Sequence, residues 1–232
     1  MADFASLQDI LGVTFRDLSL LEQALVHRSY LNENPDFALP SNERLEFLGD
    51  SLLGFVFAEK VYRDFPDLSE GEMTRLRAAL VRKETLARLA GSLGFGAYLY
   101  LGRGEEASGG RNKQSTLAGA FEAVIGAILM DQGLAVAKGF LLRLFEGEMG
   151  RAIDDKLIAD YKSRLQELVQ ASHHVTPLYR TIREVGPDHA KEFTVEVIVG
   201  DSVIGRGHGK SKRMAEKEAA RDALEGLTRE GR

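Results

Sequence analysis

The spacing of apolar residues changes once along the chain. Through residues 1–150 it follows the helical period. Leu18, Leu21, Leu25 and Val26 share one face of a first clear helix, and Leu45 to Tyr62 is a long apolar run without proline. Ser69 and Glu72 have the Ser-x-x-Glu spacing of a capping box and predict a helix over Met73 to Val81. Further helices are predicted over Glu84–Leu93, Leu117–Leu129 and Ala135–Met149, and nothing in this part alternates as a strand does. Gly102 to Ser115, GRGEEASGGRNKQS, is rich in glycine and charge and predicts a loop, either functional or a plain connector.

Around Ile153 to Asp160 a short charged stretch, IDDKLIAD, predicts a linker over residues 154–159. A helix over Tyr161–Ser172 follows. After Pro177 the period becomes two, predicting strands over Leu178–Glu184, Glu192–Val199 and Ser202–Gly207. Their turns are Gly186-Pro187-Asp188 and Gly200-Asp201, and a last helix spans Ser211 to Leu227. The predicted fold is an α-helical N-terminal domain over residues 1–153, and a small α+β domain of order α-β-β-β-α over residues 160–232.

Composition narrows the setting. The chain of 232 residues has no cysteine, which excludes disulfides and cysteine-bound zinc and suits a reducing compartment. The first residues lack a basic segment followed by an apolar run, and no window nears 18 apolar residues, so neither a secretory signal nor a membrane span is expected. The net charge is −5, but it is unevenly spread: from Lys156 onward 14 Lys and Arg stand against 12 Asp and Glu, and before it 16 against 23. An acidic domain thus precedes a mildly basic one. The first would repel a polyanion unless cations intervene.

The candidate chemistry lies in Asn42 to Asp50, NERLEFLGD. Glu43, Glu46 and Asp50 fall at i, i+3 and i+7, one stripe of a helix. That helix is apolar nearly all round and is expected to be mostly buried. A second apolar helix, LAGAFEAVIGAIL, holds one acid, Glu122. Buried carboxylates need neutralising by arginines, protons or a divalent cation. Packing the two helices together would bring Glu122 to Glu46 and Asp50, and Gly49, Gly119 and Gly126 would permit a close approach. Arg44, Arg75, Arg77 or Arg82 could instead pair with these acids.

These segments resemble the bacterial ribonuclease III family. NERLEFLGDSLL is similar to its signature stretch. ALVHRSYLNE, EGEMTRLRAALVRKETLA and FEAVIGAILMDQG are similar too, in family order, and DYKSRLQELVQ with GHGKSKRMAEKEAA resembles a double-stranded-RNA-binding domain. The resemblance implies a cytoplasmic, Mg²⁺-dependent endonuclease, with Mn²⁺ able to substitute, that cleaves duplex RNA in ribosomal and messenger RNA processing. Its products would carry 5′-phosphate and 3′-hydroxyl ends with short 3′ overhangs. It also implies a homodimer formed through the catalytic domain. Asp50 and Glu122 would be the catalytic acids, Glu46 a metal ligand beside them, Glu43 the dimer-side end of the stripe and Glu70 a secondary acid. His27 reads as a structural residue.

One position departs from the family pattern: Gly119 stands where an Asp, three residues before Glu122, is expected. Water could fill that place on a Mg²⁺ ion. If it does not, the chain would be a weak enzyme or an inactive RNA-binding protein. In the second domain the resemblance places Ser163, Gln166 and Glu167 at one minor groove and His189, in the turn Gly186 to Ala190, at a second. Lys210, Ser211, Lys212 and Arg213 would hold the phosphates between, helped by the N-terminus of the last helix. Glu216 and Glu218 occupy positions where the family often has lysine.

Overall fold

The computed structural model of the protein describes residues 3–187 and 191–230. The chain divides into two compact units, Met1–Gly150 and Arg151–Arg232.

The first unit is helical. Its elements are α1 (Phe4–Leu11), α2 (Leu18–Ala24), α3 (Arg28–Glu33), α4 (Glu43–Asp64), α5 (Glu70–Leu80), α6 (Lys83–Ser92), α7 (Arg103–Ala107), α8 (Gln114–Gln132) and α9 (Leu134–Leu144). The capping box is present: Ser69 caps α5 and the Glu72 carboxylate accepts from the Ser69 amide at 2.8 Å. The helix therefore starts at Glu70, three residues before the sequence-based start. The sequence reading did not pick out the short helices α1 and α3, although α1 has Phe4, Leu7 and Leu11 at helical spacing between the caps Asp3 and Gly12. Among the described residues the only extended pairing in this unit is a single parallel bridge between Val26 and Tyr100.

Helix α8 is the axis of the unit. Every residue from Thr116 to Ile128 except Glu122 is buried. Helices α2, α4, α6 and α9 pack around it, with α4 its most extensive neighbour. The α4–α8 crossing is tight because two glycines face backbone. A Cβ on Gly49 would stand 1.8 Å from the Glu122 carbonyl oxygen, and one on Gly126 would stand 2.2 Å from that of Leu45.

Two expectations are corrected here. Helix α4 is not buried all round: Phe47, Phe55 and Tyr62 are 76%, 56% and 70% exposed along one side. Apolar composition alone cannot say which faces have neighbours. The segment Gly102–Ser115 is not a plain loop but holds α7 and a 3₁₀ turn at Gly110–Asn112, with α8 beginning at Gln114. It is pinned by Arg111, which donates to the carbonyls of Gly96 at 2.8 Å and Leu99 at 3.0 Å and pairs with Glu106 at 2.7 Å.

Helix α10 (Glu146–His173) includes the residues read as a linker. IDDKLIAD has no proline or glycine, so despite its three aspartates nothing in it stops a helix. The second unit then builds β1 (Leu178–Val185), β2 (Glu192–Val199) and β3 (Ser202–Gly209) into an antiparallel sheet of order β1-β2-β3, followed by α11 (Lys212–Glu230). Leu165 and Val169 of α10 and Ala215, Ala219 and Ala223 of α11 pack on Val195, Val197 and Val199, giving this unit its own core.

The crossing supplies a stability test. Gly49→Ala should cost about 3 kcal/mol or more, since backbone cannot yield as a side chain does. Gly54→Ala on the same helix, where a Cβ meets nothing within 4 Å, should gain about 0.5–1 kcal/mol from helix propensity. Urea denaturation of both variants measures the contrast, and equal effects would show that the crossing is not under this constraint.

Candidate nuclease site and RNA-binding surface

The crossing decides which acids meet. Glu46 and Asp50, on successive turns of α4, come near enough to Glu122, on α8, for their charges to raise its pKa. Burial is the largest cause of the rise at Glu122, followed by the charges of Asp50 and Glu46, and together they push its carboxyl up to about 7. Glu46 is also raised, first by burial, then by Glu43 and Asp50. None of these three carboxylates has a hydrogen bond or ion pair among the described residues, and the arginines weighed as partners do not reach them. The cation that acts on Glu46 and Glu122 is Lys83, in the first turn of α6. No local pattern marks Lys83; only the packing of α6 on α8 brings it there.

Gly119 lies against Glu46. A Cβ at that position would stand 2.9 Å and 3.2 Å from the two Glu46 carboxylate oxygens. The Glu46 side chain thus leans into space that a side chain at position 119 would claim.

Of the other predicted acids, Glu43 borders this group and Glu70 lies apart from it. Glu43, in the first turn of α4, accepts from Ser41 Oγ at 2.9 Å and sits 3.8 Å from Arg28. It lines a polar cavity of about 350 Å³ with His27, Arg28, Glu46, Glu105 and Lys113, and Gly119 forms part of the wall. Glu105 and Lys113 pair at 3.2 Å. They come from the charged segment whose sequence marked it only as a candidate loop. His27 caps α3 through Ser29, consistent with a structural task, and burial lowers its pKa. Glu70 accepts from Thr74 Oγ at 3.1 Å and lines a different, mainly apolar groove with Phe55, Tyr62 and Met73. The structure does not bring it to the Glu46–Asp50–Glu122 group.

In the second unit Ser163, Gln166 and Glu167 form an exposed surface of α10 with Gln170 and Ala171. Lys210, Lys212 and Arg213 are exposed at the start of α11, where Ser211 Oγ accepts from the Met214 amide at 3.2 Å as the helix cap. Lys212 lies 3.9 Å from Glu184 and 5.8 Å from the centre of the Phe193 ring. Glu216 and Glu218 are paired internally, with Lys162 and Arg221, so their charge is largely spent within the domain. His189 lies outside the described residues.

The raised Glu122 pKa has a consequence for stability. A carboxyl with a folded pKa above its ordinary 4.5 stabilises the fold fully below that value and loses its contribution as pH rises through about 7. In chelator, Glu122→Gln should match the parent near pH 5 and exceed it above pH 8, by on the order of 1–2 kcal/mol after allowing for solvent screening. Thermal unfolding at both pH values checks this, and a gap independent of pH would contradict it.

Comparison with known proteins agrees with the arrangement of both units. A family described as Ribonuclease-III-like matches residues 17–147, and the double-stranded RNA binding motif matches residues 161–227. Ribonuclease 3 of Dehalococcoides mccartyi strain 195 is 52% identical over 97% of this chain and 95% of its own. Ribonuclease 3 of Roseiflexus sp. strain RS-1 is 54% identical over 94% of this chain and 92% of its own. A structure of the nuclease domain of ribonuclease III from Campylobacter jejuni, concerned with flexibility in a region involved in dimer formation, is 39% identical. It covers 62% of this chain and 97% of its own, with a TM-score of 0.58. Both units and nearly the full length being matched, the chain belongs to the ribonuclease III family of endoribonucleases, a helical nuclease domain followed by a double-stranded-RNA-binding domain.

Proposed function

We propose that this endoribonuclease cleaves duplex RNA with Mg²⁺, or Mn²⁺ in its place, held by Glu46, Asp50 and Glu122, and that it works as a homodimer. The observation that carries the metal reading is the crowding of three carboxylates, with Lys83 the cation that acts on Glu46 and Glu122 and no ion pair to any of the three among the described residues. Such hard-oxygen donors suit Mg²⁺, which keeps several waters of its own. Among the described residues no three such side chains converge on one point as they stand; Glu46, Asp50 and Glu122 are the residues that would hold the ion. A bound divalent ion supplies Lewis acidity and a water of lowered pKa.

The residues themselves do the rest. Asp50 and Glu46 present adjacent oxygens along α4, and Glu122 faces them from α8. A carboxylate here is placed to accept the proton of an attacking water. Attack at phosphorus with loss of the 3′ oxygen leaves 5′-phosphate and 3′-hydroxyl ends. Ser163, Gln166 and Glu167 offer groups that bond 2′-hydroxyls across a minor groove, and Lys210, Lys212 and Arg213 offer charge to phosphates.

The homodimer reading rests on α4. Phe47, Phe55 and Tyr62 leave a row of exposed aromatic surface beside the groove between α4 and α5. Exposed apolar surface on this scale marks an interface, and a second copy of the same helix is its partner in this reading.

Labelled duplex and single-stranded RNA, incubated with Mg²⁺ or chelator, test the activity. The parent should cut only duplex and only with metal. Glu122→Gln should lose at least about 100-fold in rate, the scale expected when an acid–base group is removed, yet still bind duplex RNA. Gly119→Asp, which adds a fourth ligand oxygen, should lower the Mg²⁺ concentration giving half-maximal cleavage. Undiminished cutting by Glu122→Gln would sink the assignment. Phe47→Asp should turn a dimer into a monomer in sedimentation velocity; a monomeric parent would sink the dimer reading.

A further inference from the structure

The RNA-binding unit has a cavity that the α10 and α11 surface does not use. It lies on the face of the sheet turned away from the helices. Val195, Val197 and Val199 point into the core, so by alternation Thr194 and Glu196 point outward. The register puts Arg183, Thr194 and His208 in one row across the three strands. Thr194 Oγ1 and His208 Nδ1 are 3.0 Å apart. Toward the hairpin end this row opens into a cavity of about 400 Å³, completed by Glu192, Phe193 and Lys210.

The charge of this face is unusual for an acidic chain. In the next row Glu196, only 5% exposed, is shared by Arg206 at 2.5 Å and Arg180 at 3.2 Å, both well exposed. Arg183 and Lys210 have no ion-pair partner among the described residues. Arg180, Arg183, Arg206 and Lys210 therefore face two carboxylates, Glu192 and Glu196, in a protein whose net charge is −5. A guanidinium, an ammonium and a hydroxyl around one hollow are the donors that a phosphate takes.

The cavity also adjoins elements already assigned to substrate. Glu192 begins the second strand of the hairpin whose turn is read at a minor groove, and Lys210 leads into α11. We propose that this outer-face cavity is an additional phosphate site, taking a backbone phosphate of the RNA bound by the α10 and α11 surface. The proposal rests on the duplex-binding reading above.

The test uses the full chain in chelator, so that RNA is bound and not cut. Duplex affinity is measured across a series of salt concentrations for the parent, Arg183→Ala and Arg183→Lys, with thermal unfolding as the check on folding. Each phosphate contact contributes roughly 0.9 to the slope of log affinity against log salt. Arg183→Ala should flatten the slope by about that amount without altering stability, and Arg183→Lys, which retains the charge, should keep it. An unchanged slope in Arg183→Ala overturns the proposal while leaving duplex binding intact. Failure of the parent to bind duplex at all overturns the underlying reading as well. Inorganic phosphate and a nucleoside monophosphate are titrated separately, followed by the amide resonances of Thr194 and His208. Shifts there combined with an unchanged slope would assign the cavity to a small phosphorylated ligand and overturn the RNA source.

Discussion

The structure depends on how closely α4 and α8 can approach. Gly49 and Gly126 set that distance, because each faces a backbone carbonyl of the other helix. Side chains adapt to a neighbour by changing rotamer, but two helical backbones cannot. Closing the gap buries the apolar sides of both helices. It also presses Glu122 toward Glu46 and Asp50, with Glu46 and Glu122 half-buried and Asp50 at the exposed edge. The same contact therefore stabilises the domain and concentrates negative charge. The fold holds this charge with Lys83 as nearby cation, and its burden shows in the raised pKa of Glu122, about 7. A site that tolerates such repulsion without pairing it internally is suited to a cation supplied from outside.

Gly119 takes on a different meaning in this setting. From sequence it is an absent ligand. In the structure Glu46 leans into the space over it, so the three-acid group is locally accommodated. In the proposed metal reading the position lacks a ligand oxygen, which a water on the ion would replace. On that reading the glycine would bear on how tightly a cation is held, and it is not one of the two that set the helix crossing.

The second domain handles charge in the opposite way. Several of its acids are neutralised within the domain: Glu196 between two arginines, Glu216 by Lys162 and Glu218 by Arg221. Lys210, Lys212 and Arg213 remain exposed at the start of α11. A chain that is acidic overall can thus present a locally cationic surface, because the pairing is local.

The sequence by itself determined much of this. Period-3.6 and period-2 runs located α4, α8, α11 and all three strands, since burial imposes those spacings, but α10 was read as two helices and a linker. The capping box and the β2 strand were legible almost to the residue. The acid stripe on α4 followed from helix geometry alone, and the family resemblance singled out Glu46, Asp50 and Glu122. Other features depend on neighbours distant in sequence, and only the tertiary structure decided them. Local pattern does not say that Phe47 and Phe55 are uncovered, that Arg111 pins the glycine-rich segment, that Lys83 stands by the acids, or that Glu70 does not. Each turns on which faces meet and which surfaces remain open, and the information for that is spread over the whole packed domain.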